Sequence, residues 1–314
     1  MRSAIFLLAI ATLSAQDRTI VSESDVRAVA FSKNGETLAG LCEDGKLRQW
    51  DLRSGSFVKQ IGWGPEERPS GMPSGTGLYA LSANDGSVAL IDWESGASVR
   101  RTPGFGSPLR PVAVGGQALA GSSRVAGNSR DETMRLFDAS GKMRFAVPAG
   151  IGGTSSAAIS PDGSILAAGS WDTNVRIWST RNGELVRLID NELSVSMFAL
   201  AFTPDGKSLV TAGVDRTVYF WNTSTWKQER KLTGQPEMIA SLAISADGRM
   251  LATGGFNDIT NKHPVSILLW DVASGKELRR LPSPHQVSSV AFSPDGKWLA
   301  AASGDKTVRL WSVR

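Results

Sequence analysis

Cysteine occurs once in the 314 residues, as Cys42, so no disulfide forms within the chain and a disulfide-stapled scaffold is excluded. Histidine occurs twice, at His263 and His285, too few for a metal centre built from several imidazoles. Neither sign of charge prevails: 34 basic against 30 acidic residues leave +4, too small an excess to specify nucleic acid. A bilayer-crossing helix needs roughly 20 apolar residues; the run from Ala4 to Leu13 falls short of that. The nucleophile elbow G-x-S-x-G is absent, as is any paired-carboxylate signature. No cofactor and no metal are expected.

Glycine and tryptophan are abundant, at 33 and 10 residues, which suits many short strands joined by tight turns. The N-terminus reads as an export signal over residues 1–15. Arg2 supplies the positive start, Ala4 to Leu13 the apolar stretch, and Ser14-Ala15 the small residues before cleavage at Gln16. Leu13 departs from the small residue expected three positions before the cut. No cysteine stands directly after the apolar stretch, so a lipoprotein anchor is not expected. A cleaved leader places the mature chain outside the cytoplasm, secreted or periplasmic; an uncleaved one leaves it cytoplasmic.

The last thirty residues, His285 to Arg314, set a pattern that recurs along the chain. Val287 to Phe292 reads as a strand, and Ser293-Pro294-Asp295-Gly296 as a turn in which Pro presets φ and Gly accepts φ > 0. Trp298 to Ala302 and Thr307 to Trp311 are two further strands, the last β-branched and aromatic. The closing aromatic position recurs at Trp50, Ile91, Phe137, Trp178, Trp221, Trp270 and Trp311. Its spacing runs from 41 residues (Trp50 to Ile91) to 49 (Trp221 to Trp270). Seven units near a period of about 40–45 residues signal a propeller of four-stranded blades.

Trp50-Asp51, Trp270-Asp271 and Phe137-Asp138, with the S-P-D-G and D-x-T-V-R-L-W strings, make the chain resemble the WD-repeat β-propeller family over roughly residues 19–314. A bacterial-type secreted member is expected from the leader. The resemblance implies an all-β fold: a seven-bladed β-propeller of four-stranded antiparallel blades. The family's Gly-His start survives only as His285, preceded by Pro284. Unit two is degenerate, because Pro69 and Pro73 interrupt its first strand and Ile91 replaces the aromatic.

A fourth strand follows six of the third strands, but the chain ends at Arg314 before the seventh. Arg18 to Val21 is the spare strand, and it is expected to complete the last sheet and close the ring. Unclosed, the ring exposes sheet faces and edges. The propeller is therefore placed at 18–314. Its units run approximately 24–61, 68–102, 108–147, 152–189, 194–232, 237–281 and 285–314 plus 18–21.

Within each four-stranded meander, the loops between second and third strands share one end with the links between blades. The two long insertions lie there, at 123–130 and 255–264. From the second-strand leucine to the aromatic takes 12 residues in unit seven (299 to 311) but 19 in unit six (251 to 270). The longest link between blades, 62–68, lies at the same end. Loops on a rigid scaffold concentrate binding, while neutral insertion also costs little. Trp63, Arg68, Arg124, Arg130, Lys262 and His263 are the candidate contacts, with Trp63 and Arg130 leading as aromatic and arginine anchors.

Several motifs imitate chemistry. Gly40 to Lys46 fits G-x-x-x-x-G-K, but Leu47 stands where a magnesium-binding hydroxyl is needed, and Glu43 and Asp44 repel phosphate. Gly75-Thr76-Gly77 leads into a strand, not a helix. Asn222-Thr223-Ser224 is a glycosylation sequon by pattern alone. His285, Ser303, Asp305 and Trp311 invite a Ser-His-Asp reading; the resemblance implies instead a structural hydrogen-bond tetrad within one blade. The fourth strands are basic (Lys59, Arg187, Arg230, Arg279 and others), which reads either as edge protection or as a polyanion-binding rim.

The reading that results is a non-catalytic interaction scaffold, a monomer with a protein or peptide partner, no specific nucleic acid and no membrane span. Its alternatives are a secreted propeller hydrolase or lyase using the central channel, or a polyanion binder through the rim.

Overall fold

A computed structural model describes residues 17–62, 67–69, 78–83, 85, 87–92, 94–95, 97–102, 109–115, 118–123, 132–138, 140–150, 153–190, 196–256 and 264–313. Seven four-stranded antiparallel sheets form the blades, each with strands a to d in order. Blade one runs Val26–Phe31, Thr37–Cys42, Leu47–Asp51 and Phe57–Ile61. Blade two runs Glu67–Pro69, Leu78–Ala83, Val88–Asp92 and Ser98–Arg101, and blade three Leu109–Gly115, Ala118–Ser123, Thr133–Phe137 and Met143–Pro148. Blade four runs Thr154–Ile159, Ile165–Ser170, Val175–Ser179 and Leu185–Ile189. Blade five runs Met197–Phe202, Ser208–Gly213, Val218–Asn222 and Gln228–Leu232, and blade six Met238–Ile244, Met250–Phe256, Val265–Asp271 and Glu277–Ser283. In blade seven, Val287–Phe292, Trp298–Ser303 and Thr307–Ser312 are completed by Arg18–Val21.

The closing strand pairs antiparallel with strand c of blade seven, Arg18 opposite Leu310 and Val21 opposite Thr307, as the spare N-terminal strand led us to expect. Ile20 enters a core shared by blades seven and one, among Val29, Phe31, Trp50, Val308 and Leu310. Comparable clusters join blades one and two, three and four, four and five, five and six, and six and seven. Strand a of blade three lies on blade two, so packing runs round the whole ring. Each sheet buries both faces against neighbours, which is why strands b and c read as near-continuous apolar runs. Degenerate unit two still forms four strands, with its first cut to the three residues Glu67–Pro69. Proline cannot donate to a ladder, and Pro69 ends that strand.

The repeated a–b turn has one chemistry. Ser293 Oγ donates to Asp295 Oδ1 at 2.6 Å and accepts the Trp298 amide at 3.0 Å. Asp295 Oδ1 also accepts the Lys297 amide at 3.0 Å, and Gly296 takes φ 65°. The same lock recurs at Ser160–Asp162, Thr203–Asp205, Ser245–Asp247 and Ser32–Asn34. These turns are fixed by their own backbone demands, so the opposite end of the ring is where the sequence is free to vary. Gly40 to Lys46 is a b–c hairpin between Thr37–Cys42 and Leu47–Asp51, not a phosphate loop.

Candidate functional site

Asp-x-x-x-Arg runs from the b–c turn into strand c in blades one, three, four and seven. Asp131 of blade three lies outside the described residues, and in the other three the strand geometry folds the pair back on itself at the loop-bearing end. Arg48 grips Asp44 through two bonds of 2.7 and 3.0 Å, Arg176 grips Asp172 at 2.7 and 3.0 Å, and Arg309 reaches Asp305 at 2.5 Å. In blade five Tyr219 Oη donates to Asp215 at 2.6 Å instead. Burial by itself raises the Asp305 carboxyl, but bonds from Arg309 and Thr307 outweigh it and hold the group at about 2. The bond to Asp44 raises Arg48 further above its ordinary value, and burial with Asp215 raises Tyr219 likewise. The preceding links between blades seat on these pairs. Glu23 meets Arg48 at 2.9 Å, and Gly150, at φ 101°, lies so close to Arg176–Asp172 that a Cβ would collide with both. These charges are internal ties, each bidentate pair fixing a b–c turn to its blade.

The expected tetrad in blade seven does not assemble. Asp305 is held by Thr307 and Arg309, and no hydrogen bond ties the His285 ring or the Trp311 indole to it among the described residues. Ser303 Oγ stands beside the Asp305 carboxylate and helps lower its pKa, yet it is buried without a well-formed hydrogen bond. The reason is competition: Arg309, two positions before the aromatic, captures the aspartate with a charge-assisted bond stronger than imidazole offers. The buried polar chain lies in blade six, where neither histidine takes part. Trp270 Nε1 donates to Thr253 Oγ1 at 3.0 Å, and Thr253 donates to Gln235 Oε1 at 2.7 Å. Gln235 Nε2 then donates to Glu237 Oε2 at 2.9 Å, and Glu237 Oε1 accepts the Ser266 amide at 3.0 Å. In blade five Trp221 likewise donates to Thr211 at 3.0 Å. The signal available in the sequence was a threonine on strand b with a tryptophan on strand c.

Among the described residues the loop-bearing end carries a group of aromatic side chains. Trp171 sits in the b–c turn of blade four and is 49% exposed. It meets Phe198 of blade five edge-on at 5.1 Å, and Phe198 meets Phe256 of blade six at 6.1 Å. Phe198 occupies a strand-a bulge, where the register skips from Met197 to Ala199. At the equivalent bulges Ser288 donates to Val26 O at 2.8 Å and Ser155 to Met197 O, stitching each blade to the next. Phenylalanine makes no such stitch and instead joins three blades in one aromatic strip. Arg216, exposed in the b–c turn of blade five, has no side-chain partner among the described residues.

Of the sequence-derived contacts, Trp63, Arg124, Arg130, Lys262 and His263 lie outside the described residues. Arg68 falls in strand a of blade two, of which the backbone course alone is described. Four of the rim cations are tied to the neighbouring blade. Arg279 donates to Ser312 O at 2.5 Å, Arg230 to Ala273 O at 3.1 Å, Arg18 to Leu52 O at 2.8 Å, and Lys59 to Glu94 O, each bond reaching the c–d end of the next blade. Among the described residues no cluster of three acidic, histidine or cysteine side chains stands ready for a metal ion, and no helix is long and apolar enough to cross a membrane.

Comparison with known proteins agrees with this architecture. The profile of the family described as "WD domain, G-beta repeat" matches residues 11–51, 150–179, 186–222, 226–259 and 275–312. The first match begins inside the stretch read as a leader. A "WD repeat-containing protein SL1-17" of Schistosoma mansoni is 32% identical over 162 residues, covering 52% of this chain and 51% of that protein. A "Small ribosomal subunit protein RACK1z" of Oryza sativa subsp. japonica is 35% identical over 82 residues, 26% of this chain and 22% of that one. The chain thus spans about half or less of these relatives' length. A chain in the "Crystal Structure of Mitotic Checkpoint Complex" superposes with a TM-score of 0.76 at 19% identity, over 100% of this chain and 99% of that one, a likeness of fold.

Proposed function

The chain belongs to the WD domain, G-beta repeat family, and on that premise we propose that it is a non-catalytic scaffold binding a protein or peptide partner on the loop-bearing end of its ring. The observation that carries this reading is the strip Trp171–Phe198–Phe256, three aromatics from three successive blades with an exposed indole at its end. Aromatic anchors on a preorganised surface are the usual source of interface energy. The names of the similar proteins, a ribosomal subunit protein and a checkpoint complex, belong to assemblies and favour the same reading. Trp63, Arg68, Arg124, Arg130, Lys262 and His263 are proposed as further contacts. The rim reading loses ground because Lys59, Arg230 and Arg279 point at backbone carbonyls of the neighbouring blade.

The test is affinity capture with the folded ring as bait, followed by calorimetry on the captured partner with Trp171→Ala and with residues 124–129 or 259–264 shortened. Undiminished affinity in all three variants overturns the assignment of the face. Hydrolase or lyase turnover by the ring, lost on substitution of a channel residue, overturns the non-catalytic part. Export and a monomeric state are proposed alongside. The bacterial-type secreted reading rests on the leader pattern alone, since the relatives named above are eukaryotic and lend it nothing. Mass spectrometry finding an N-terminus near Gln16 supports cleavage, and intact Met1 refutes it.

A further inference from the structure

Strand d ends every sheet, so its outer backbone groups have no partner strand. Native proteins protect such edges with charge, proline or cover. Blade five does so with Glu229, Arg230 and Lys231, and blade six with Glu277, Arg279 and Arg280. The edge of blade four departs from this: Leu185, Val186 and Leu188 are 54%, 44% and 41% exposed. Among the described residues no other strand d carries three exposed aliphatic side chains.

Its cation is also unspent. Arg187 pairs with Ile177, the residue before the strand-c aromatic. Lys59, Arg230, Arg279 and Arg18 hold that same register in blades one, five, six and seven. Those four latch onto the next blade, whereas Arg187 has no hydrogen bond or ion pair among the described residues. The c–d turn of blade five, the counterpart of the turns those four reach, carries Trp226, at φ 55° and packed on the core of blades four and five. The matching turns carry Gly55, Gly183 and Gly275. At this seam an indole packs on the shared core, and Arg187 makes no latch among the described residues.

The charges along the edge have a palindromic order, Glu184-Leu185-Val186-Arg187-Leu188-Ile189-Asp190, with Glu184, Arg187 and Asp190 all exposed. A second copy paired antiparallel about Arg187 sets arginine against arginine and each acid against an acid. Like charges directly opposite destabilise a strand pair, so the edge is built against self-association and for a complementary strand. We propose that strand d of blade four is a docking edge for an extended segment of a partner protein, added as a fifth antiparallel strand. Its carboxylate faces Arg187, β-branched or aliphatic residues flank it, and basic residues face Glu184 and Asp190. Main-chain bonds supply affinity in such strand addition and side-chain pattern supplies selectivity. This edge is on the outer rim, away from the loop-bearing end, and the inference does not depend on the function proposed above.

The experiment titrates the full chain against two capped, fluorescein-labelled peptides, Lys-Val-Thr-Glu-Val-Thr-Lys and the charge-exchanged Glu-Val-Thr-Lys-Val-Thr-Glu, reading anisotropy. The expected result is a preference of about ten-fold for the acid-centred peptide. Arg187→Glu reverses that preference, Arg187→Lys retains it, and Trp171→Ala leaves it untouched. Melting temperatures of the exposed-site variants serve as the folding control. Failure of both peptides to bind, equal binding, or a preference that survives Arg187→Glu overturns the proposal. So does a dimer in sedimentation that Leu188→Lys disperses, because the edge then belongs to a second copy.

Discussion

Arg279 in blade six donates to the backbone carbonyl of Ser312 in blade seven at 2.5 Å, crossing the seam between two sheets that share no strand pairing. Arg230 to Ala273, Arg18 to Leu52 and Lys59 to Glu94 repeat the relationship at three other seams. In blade three Phe145 serves the same place by packing, so close to Gly183 of blade four that a Cβ there would fall 2.9 Å from the ring. The Arg279 latch is exposed to solvent, so Arg279→Ala is expected to cost only about 1 kcal/mol. Seams this far apart act independently and their losses add. Chemical denaturation of the single variants and of the combined Lys59, Arg230 and Arg279 variant checks this; a triple loss no larger than one single loss contradicts it.

Ring closure rests on four residues. Removing Arg18 to Val21 takes away the strand paired with Thr307 to Leu310 and the Ile20 side chain from the shared core. An open ring exposes an edge strand and the faces it covered. The deletion is expected to melt the whole propeller at lower temperature and to aggregate. An unchanged melting curve with the protein still monomeric refutes it.

The buried chain of blade six makes a comparative prediction. Thr253→Val is expected to cost about 1–3 kcal/mol, because it strands Trp270 Nε1 and Gln235 in a site closed to water. His285→Ala is expected to cost far less, since its ring makes no hydrogen bond among the described residues. Equal destabilisation of the two variants in urea contradicts this placement of the polar network.

Asp305 sets an acid limit. Its folded pKa of about 2 lies below the ordinary 3.8, so its contribution is full above about pH 4 and is lost as pH falls through about 2. The amount is on the order of 1 to 2 kcal/mol after allowing for partial exposure. Asp305→Asn, compared with the parent from neutral pH down to pH ~2, is expected to be less stable at the top of that range and to converge at the bottom. A constant difference across the range excludes the pair as its origin.

Binding should follow the aromatic strip. Trp171→Ala is expected to weaken partner affinity by about 2 kcal/mol if the indole is a buried anchor in the complex. Its exposure predicts little change in melting temperature. Substitutions in the turn at Pro161 to Gly163, at the opposite end, are the control. Calorimetric affinity lost in the turn variants and kept in Trp171→Ala shows the face to be assigned backwards.

The sequence alone determined the number of blades, their strand order and the closing strand. Those follow from local rules, turn chemistry such as Ser293-Pro294-Asp295-Gly296 and strand periodicity, repeated often enough that one damaged unit with Pro69 and Pro73 does not obscure them. The partners of polar side chains were decided by the tertiary structure. Asp305 has Thr307 and Arg309 within its own hairpin and takes them over His285, while Gln235, which no histidine pattern marks, completes the chain in blade six. The basic rim reads in sequence as a field of like charge; its meaning depends on which carbonyl the adjacent blade places within reach. The aromatic strip is likewise invisible along the chain, because Trp171, Phe198 and Phe256 stand in three different units and meet only where a strand-a bulge turns Phe198 toward both neighbours. Periodicity fixes what repeats, and contacts between repeats are settled by geometry across the seams.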